Sequence, residues 1–187
     1  MNSTAVAILS DPHPCAHIVY PYTDEAHVTE AVCIFASAGL RKSEAVPLIM
    51  TKEHQDAIRR RLERDGFNLA ALERTGQLRF IDAEELLSTF MVNGAPDSGL
   101  FESGVRKIID QAKIASGSRP PRKVRIFGEM VSLLWKASPA AAQSLEELWN
   151  QAIKTHSVCL LCTYALGGKA IGAFPESLLA CHSHNLA

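Results

Sequence analysis

Five short apolar runs, "AHIVYPY", "EAVPLIM", "QLRFID", "KVRIFGEM" and "SVCLLCTY", are separated by longer stretches in which apolar residues recur every three or four positions. That alternation constrains the fold more than any other feature. Runs of this length bounded by turn residues suit strands, and the intervening period suits amphipathic helices. Strands alternating with helices long enough to cross a sheet predict an α/β fold of three layers, a mostly parallel sheet with helices on both faces. The unbroken apolar character of "SVCLLCTY" fits a strand buried on both sides. Asp24 or Thr23 is placed to cap the first long helix and Thr51 the second, and Val28, Ala31, Val32, Phe35 and Ala36 form the inner stripe of the first. Pro21 is expected to keep the first strand from continuing as a central one.

At 187 residues the chain is expected to form one domain over 15–187, preceded by a flexible arm over 1–14 that ends in "SDPHP". "NGAPDSG" should break the chain, "GSRPP" should be a surface linker, and "FPESLLACHSHNLA" should contain a short helix from Pro175. A formal net charge of −1 offers no field to draw nucleic acid. The basic clusters "RRRLER" (Arg59 to Arg64) and "RPPRKVR" (Arg119 to Arg125) read as solvated helix faces and loop edges. No run approaches the ~18 unbroken apolar residues of a spanning helix, and the N-terminus lacks the basic start of a signal peptide. Five irregularly spaced cysteines read as reduced thiols. The expectation is a cytoplasmic protein with neither nucleic acid nor membrane as a direct partner.

Open parallel sheets hold ligands beyond the carboxyl ends of their strands, where strand order reverses. The turn after the first strand, "YPYTDEAH", has no glycine and no lysine to cradle a phosphate, and Asp24 and Glu25 would repel one. "LGGKAIGAF" has glycines and Lys169 but follows the last strand without the P-loop spacing. Glu129, directly after a buried strand and a glycine, is either a polar contact for a ligand or a cap for the following helical turn. Tyr20, Tyr22 and Tyr164 fall at strand ends, suiting either a pocket for a small, largely apolar ligand or the rim of a core. His17 and His182 are the remaining polar candidates for ligand binding. "CHSHN" raises the question of a metal, but no CxxC or HxxxH pairing completes a site. Cys159 and Cys162 of "CLLC" would face opposite sides of a strand. No metal and no cofactor is expected, and no nucleophile-elbow motif points to hydrolysis.

The order of "HIVYPYTDEAHVTEAVCIFASAGLRKSEAVPLIMT", "LERTGQLRFIDAEE", "VRIFGEMVSLLW" and "VCLLCTYAL" resembles the MEDS family, a methanogen/methylotroph sensory domain named from a dichloromethane-responsive repressor. The likeness runs from about His17 to His182 and rests on the H-x-x-Y opening (His17, Tyr20), "AGLRKSEA", "GQLRFIDAEE" and the triplet Gly128 to Met130. It implies a RecA/KaiC-like fold without a P-loop. It also implies a non-enzymatic domain that binds a small organic molecule and regulates a separate transcriptional regulator or histidine kinase. Family members often carry an output module in the same chain; little sequence follows His182 here, so any output module is expected either on a separate protein or in sequence beyond these residues. The alternatives are a protein-interaction scaffold with a vestigial crevice and a residual nucleotide-binding ATPase, the latter disfavoured by the absent lysine and glycines.

Overall fold

Each of the five apolar runs forms a strand in the computed structural model, which describes residues 1–114, 121–167 and 174–186. In chain order the elements are α1 (Ser3–Ser10), β1 (His17–Tyr22), α2 (Glu25–Arg41), β2 (Val46–Met50), α3 (Lys52–Arg64), α4 (Leu69–Arg74), β3 (Leu78–Asp82) and α5 (Ala83–Ser88). A small ribbon of β4 (Met91–Val92) and β5 (Ala95–Pro96) follows, then α6 (Ser98–Ile114), β6 (Arg125–Gly128), α7 (Met130–Ala137), α8 (Pro139–His156), β7 (Cys159–Ala165), α9 (Glu176–Leu179) and β8 (His184–Asn185). The main sheet has six strands in the order β3-β2-β6-β7-β1-β8. Every pairing in it is parallel. The "GSRPP" linker and the glycines of "LGGKAIGAF" fall mostly outside the described residues.

Strand alternation sorts the core into two halves. Ile18, Leu48, Met50, Phe127 and Leu161 face the layer of α1 to α4, where Val28, Val32, Phe35, Ile58 and Leu62 meet them. Val19, Ile49, Ile126, Leu160 and Cys162 face α5 to α9, against Phe101, Val105, Ile109, Leu145 and Trp149. Phe101 sits edge-on to both Phe90 (5.3 Å) and Trp149 (5.1 Å), an arrangement aromatic quadrupoles favour. Helix starts are set locally. Asp24 accepts the Ala26 N–H at 2.8 Å, Asp82 those of Glu84 and Glu85, and Ser138 that of Ala141. Thr51 stands at the start of α3 but makes no side-chain cap.

Three expectations are corrected. Residues 1–14 are not a loose arm: Asn2 caps α1, and Ala5 and Leu9, four apart on one face, are buried against α2. Arg125 is not solvated but 2% exposed. Its guanidinium donates to the carbonyls of Leu9 (3.0 Å) and Phe35 (3.1 Å) and to Glu44 (2.7 Å), tying the end of α1 to α2 and β6. "NGAPDSG" does more than break the chain, since Asn93 and Gly94 both take positive φ (50° and 81°) and turn the β4–β5 hairpin. β1 lies inside the sheet, and β8 pairs only with Ile18 and Val19, so Pro21 falls past the end of that ladder.

Candidate functional site

The chain leaves β2 toward β3 on one side, while β6 lies on the other, so strand order reverses at the carboxyl ends of β2 and β6. A crevice of about 390 Å³ opens there, also reached by the end of β1, as the switch-point rule predicts. Tyr22, Thr51, His54, Glu129 and Ser132 line it, with Glu25 from the first turn of α2. Glu53, Glu84, Lys52 and Lys136 complete a wall richer in charge than the largely apolar pocket expected from the tyrosines.

Glu129 is the buried centre of this wall, with its side chain 5% exposed. It follows β6 and sits at the start of α7, yet it makes no side-chain cap there. One oxygen instead accepts the Thr51 N–H at 2.7 Å, filling the amino end of α3, and the other meets His54 Nδ1 at 2.6 Å. His54 Nε2 then reaches Glu25 at 2.6 Å. The hydrogen bond to Glu129 is the main cause that raises the His54 imidazole to about 9; burial opposes the rise, and Glu25 adds to it. Burial also pushes the Tyr22 phenol up, reinforced by Glu25 and Glu129. Glu129 therefore does not cap the helical turn that follows it; it accepts from the amino end of α3 and lines the crevice.

A second polar cluster lies between the sheet and α8. Cys162 and Tyr164, two apart on β7, face the same way and meet Glu146 of α8, which is fully buried. Tyr164 Oη donates to Glu146 Oε1 at 2.5 Å. His17 Nε2 lies 3.2 Å from Glu146 Oε2 and 3.4 Å from Cys162 Sγ. His182, just after α9, places Nε2 3.3 Å from Glu146 Oε1, with its ring centroid 4.0 Å from that of His17. Burial pushes the Glu146 carboxyl up, but the imidazoles of His17 and His182 outweigh it and hold the group at about 2. Burial pushes the Cys162 thiol up, and Glu146 adds to the effect.

The six candidate ligand residues therefore do not share one crevice. Tyr22 and Glu129 line the strand-end opening. His17, Tyr164 and His182 gather around Glu146 instead. Tyr20 belongs to neither and packs, partly buried, against the core on the α2 side. The reason is strand geometry. His17 and Tyr22 are the two ends of β1, about 17 Å apart at ~3.3 Å per residue, and neighbouring side chains point to opposite faces. Sequence reasoning did not single out His54 or Glu146, and it set Cys162 aside as a metal ligand because it weighed that residue only as a pair with Cys159. Glu146 carried a signal, because Ala142, Leu145, Trp149 and Ile153 put it on the buried stripe of α8. The metal question also changes: "CHSHN" finds its partners in Glu146 and Cys162, whose donor atoms lie with those of His17 and His182 within 4.8 Å of one another.

No curated protein matches the sequence. Among solved structures the fold is similar to the crystal structure of a KaiC-like protein from the hyperthermophilic archaeon Pyrococcus horikoshii OT3. The TM-score is 0.54 at 15% sequence identity, covering 83% of this chain and 65% of that one. At this identity the likeness concerns the fold, and the chain spans under two thirds of that protein's length. Among the described residues, no helix is long and apolar enough to cross a membrane. The sequence itself matches the family described as MEDS, MEthanogen/methylotroph, DcmR Sensory domain, over residues 16–182. The chain belongs to the MEDS family of sensory domains.

Proposed function

We propose that this chain is a non-enzymatic signal-sensing domain whose strand-end crevice takes a small, polar, neutral or cationic organic molecule, and whose response is read by a separate transcriptional regulator or kinase. The observation that carries this reading is that the crevice supplies its own anions. A helix amino end attracts phosphate through unpaired N–H groups and its dipole. Here Asp24 holds the Ala26 N–H of α2 and Glu129 holds the Thr51 N–H that opens α3. The amino ends of α2 and α3 at the crevice each have an N–H held by a protein carboxylate, with His54 balancing Glu129 and Glu25. A triphosphate would meet like charge at each, whereas a guest with hydrogen-bond donors finds acceptors.

Native mass spectrometry of the full chain purified from its own host is expected to retain a small organic mass that Glu129→Gln and Tyr22→Phe variants lose while keeping their fold. Calorimetry with magnesium-ATP is expected to give no binding heat. Micromolar ATP affinity, or an organic mass retained equally by both variants, would overturn the reading.

A further inference from the structure

We propose that His17, Glu146, Cys162 and His182 form a four-donor site for a divalent metal ion of the zinc class, separate from the crevice. The first support is convergence. Four donors from β1, α8, β7 and the segment after α9 place one atom each within 4.8 Å of the others, in a buried position. The second is spacing. Tetrahedral zinc with bonds of about 2.0–2.1 Å to nitrogen and oxygen and about 2.3 Å to sulfur has N–O edges of about 3.3 Å and N–S or O–S edges of about 3.5 Å. His17 Nε2, Cys162 Sγ and Glu146 Oε2 match one face of such a figure, at 3.2 Å, 3.4 Å and 3.6 Å, while His182 Nε2 lies 3.3 Å from the other carboxylate oxygen, Oε1, so the four donors, within 4.8 Å of one another, would draw together around the ion.

The third support is the outer shell, which orients both imidazoles as metal ligands are oriented. His182 Nδ1 lies 2.7 Å from the Leu178 carbonyl, which can only accept. His17 Nδ1 lies 3.2 Å from the Cys181 carbonyl and 3.1 Å from Asn150 Oδ1. Each Nδ1 therefore donates outward, and each Nε2 turns toward the cluster, where it faces Glu146. His182 Nε2 is buried without a hydrogen-bond partner, its side chain 0% exposed. Tyr164 Oη steadies the Glu146 carboxylate in the same manner.

Two imidazoles, a thiol and a carboxylate select a borderline ion over magnesium or calcium, which prefer oxygen alone. On binding, the Cys162 thiol proton and the Nε2 protons that face Glu146 leave to water, and the carboxylate and thiolate balance the dication. With four protein donors the site is closed, which suits a structural or sensing ion rather than a catalytic one. Its mechanical effect follows from His182. The ion would fasten the C-terminal segment, including β8, to β1, where Ser183 already donates its N–H to the His17 carbonyl at 2.8 Å.

The test is a Co²⁺ and Zn²⁺ titration of the chelator-treated full chain. One ion per chain is expected, with Co²⁺ giving the strong visible bands of a tetrahedral centre and a thiolate charge-transfer band. Cys162→Ser is expected to lose that band and to bind about tenfold or more weakly, as is His182→Gln without the loss of the band. Cys15→Ser, at an exposed thiol, should change neither. Substoichiometric binding, a wild-type Co²⁺ spectrum lacking the thiolate band, or a band that survives Cys162→Ser would overturn the proposal. The wild-type spectrum decides even where a variant fails to fold.

Discussion

His54 should make the fold lose stability as pH rises from neutrality to about 9. Its imidazole is held between Glu129, 5% exposed, and Glu25, 68% exposed, and is raised from 6.5 to about 9. A rise of that size corresponds to about 3 kcal/mol of preference for the imidazolium in the folded chain. The contact to Glu25 is screened by solvent, so about 2 kcal/mol rests on the Glu129 contact. The folded value lies above the unfolded one. The contribution is therefore complete below 6.5 and lost as pH passes through about 9, because over that interval the folded chain keeps a proton that the unfolded chain releases. The other titratable groups lining the same crevice are Tyr22 from β1, Lys52 and Glu53 on the same helix, Glu84 of α5 and Lys136 of α7; burial keeps the Tyr22 phenol neutral throughout.

Urea unfolding of the wild type and His54→Gln, at about pH 6 and about pH 9.5, measures the effect directly. The wild type is expected to lead by about 2 kcal/mol at the lower pH and to lose that lead at the higher one. Buried thiols such as Cys33 and Cys159, pushed up to about 12 by burial, also cost the fold stability in alkali, but equally in both proteins. An NMR midpoint for His54 at or below 6.5, or a difference between the two proteins that does not change with pH, would refute the reasoning.

Gly39→Ala should destabilise by about 1–3 kcal/mol, although alanine is the better helix former by about 1 kcal/mol. An added methyl would meet Arg125 Nε at 2.8 Å and Cδ at 2.9 Å, with Val46 Cγ2 at 3.1 Å. A raised urea midpoint would refute this. Arg125→Met should cost about 3–5 kcal/mol, since it leaves Glu44 and two buried carbonyls without their donor. Because one of those carbonyls ends α1, amide exchange across residues 3–10 should speed up more than in β6; unchanged exchange there would show that α1 is held by Leu9 alone.

The sheet was legible because a strand buried on both faces leaves an apolar run that no surface element shares, as in "VCLLCTY". α1 was not, because its docking depends on Arg125, over a hundred positions away, and "SDPHP" resembles any loose terminus. Glu129 was visible as an acid after a buried strand and glycine, but its partner was not. Thr51 and His54 read as an ordinary first helical turn until β2 and β6 are known to be neighbours. The division of the histidines and tyrosines into two clusters was hidden for a simpler reason. A strand's ends and faces are distinguished by register, and register comes from pairings such as His17 with Leu160, which span the chain.

Under the proposed function, the crevice bonds also set what a guest would have to do to be sensed. Glu129 joins the β6–α7 junction to α3, and His54 carries that link on to Glu25 and α2. The two helices thus share one hydrogen-bonded clamp whose ends belong to different layers of contact with the sheet. Under that proposal a molecule that fills the crevice but leaves these bonds intact makes no differential contact with α2 or α3 and would shift neither, however tightly it is held. Only a guest that competes for the Glu129 carboxylate or the His54 imidazole has the differential affinity that signalling requires. A coupling of about 1–3 kcal/mol is typical of such switches, and one charge-assisted hydrogen bond supplies about as much. A single donor in the right place is therefore enough, and the size of the molecule matters less than whether it takes the place of His54.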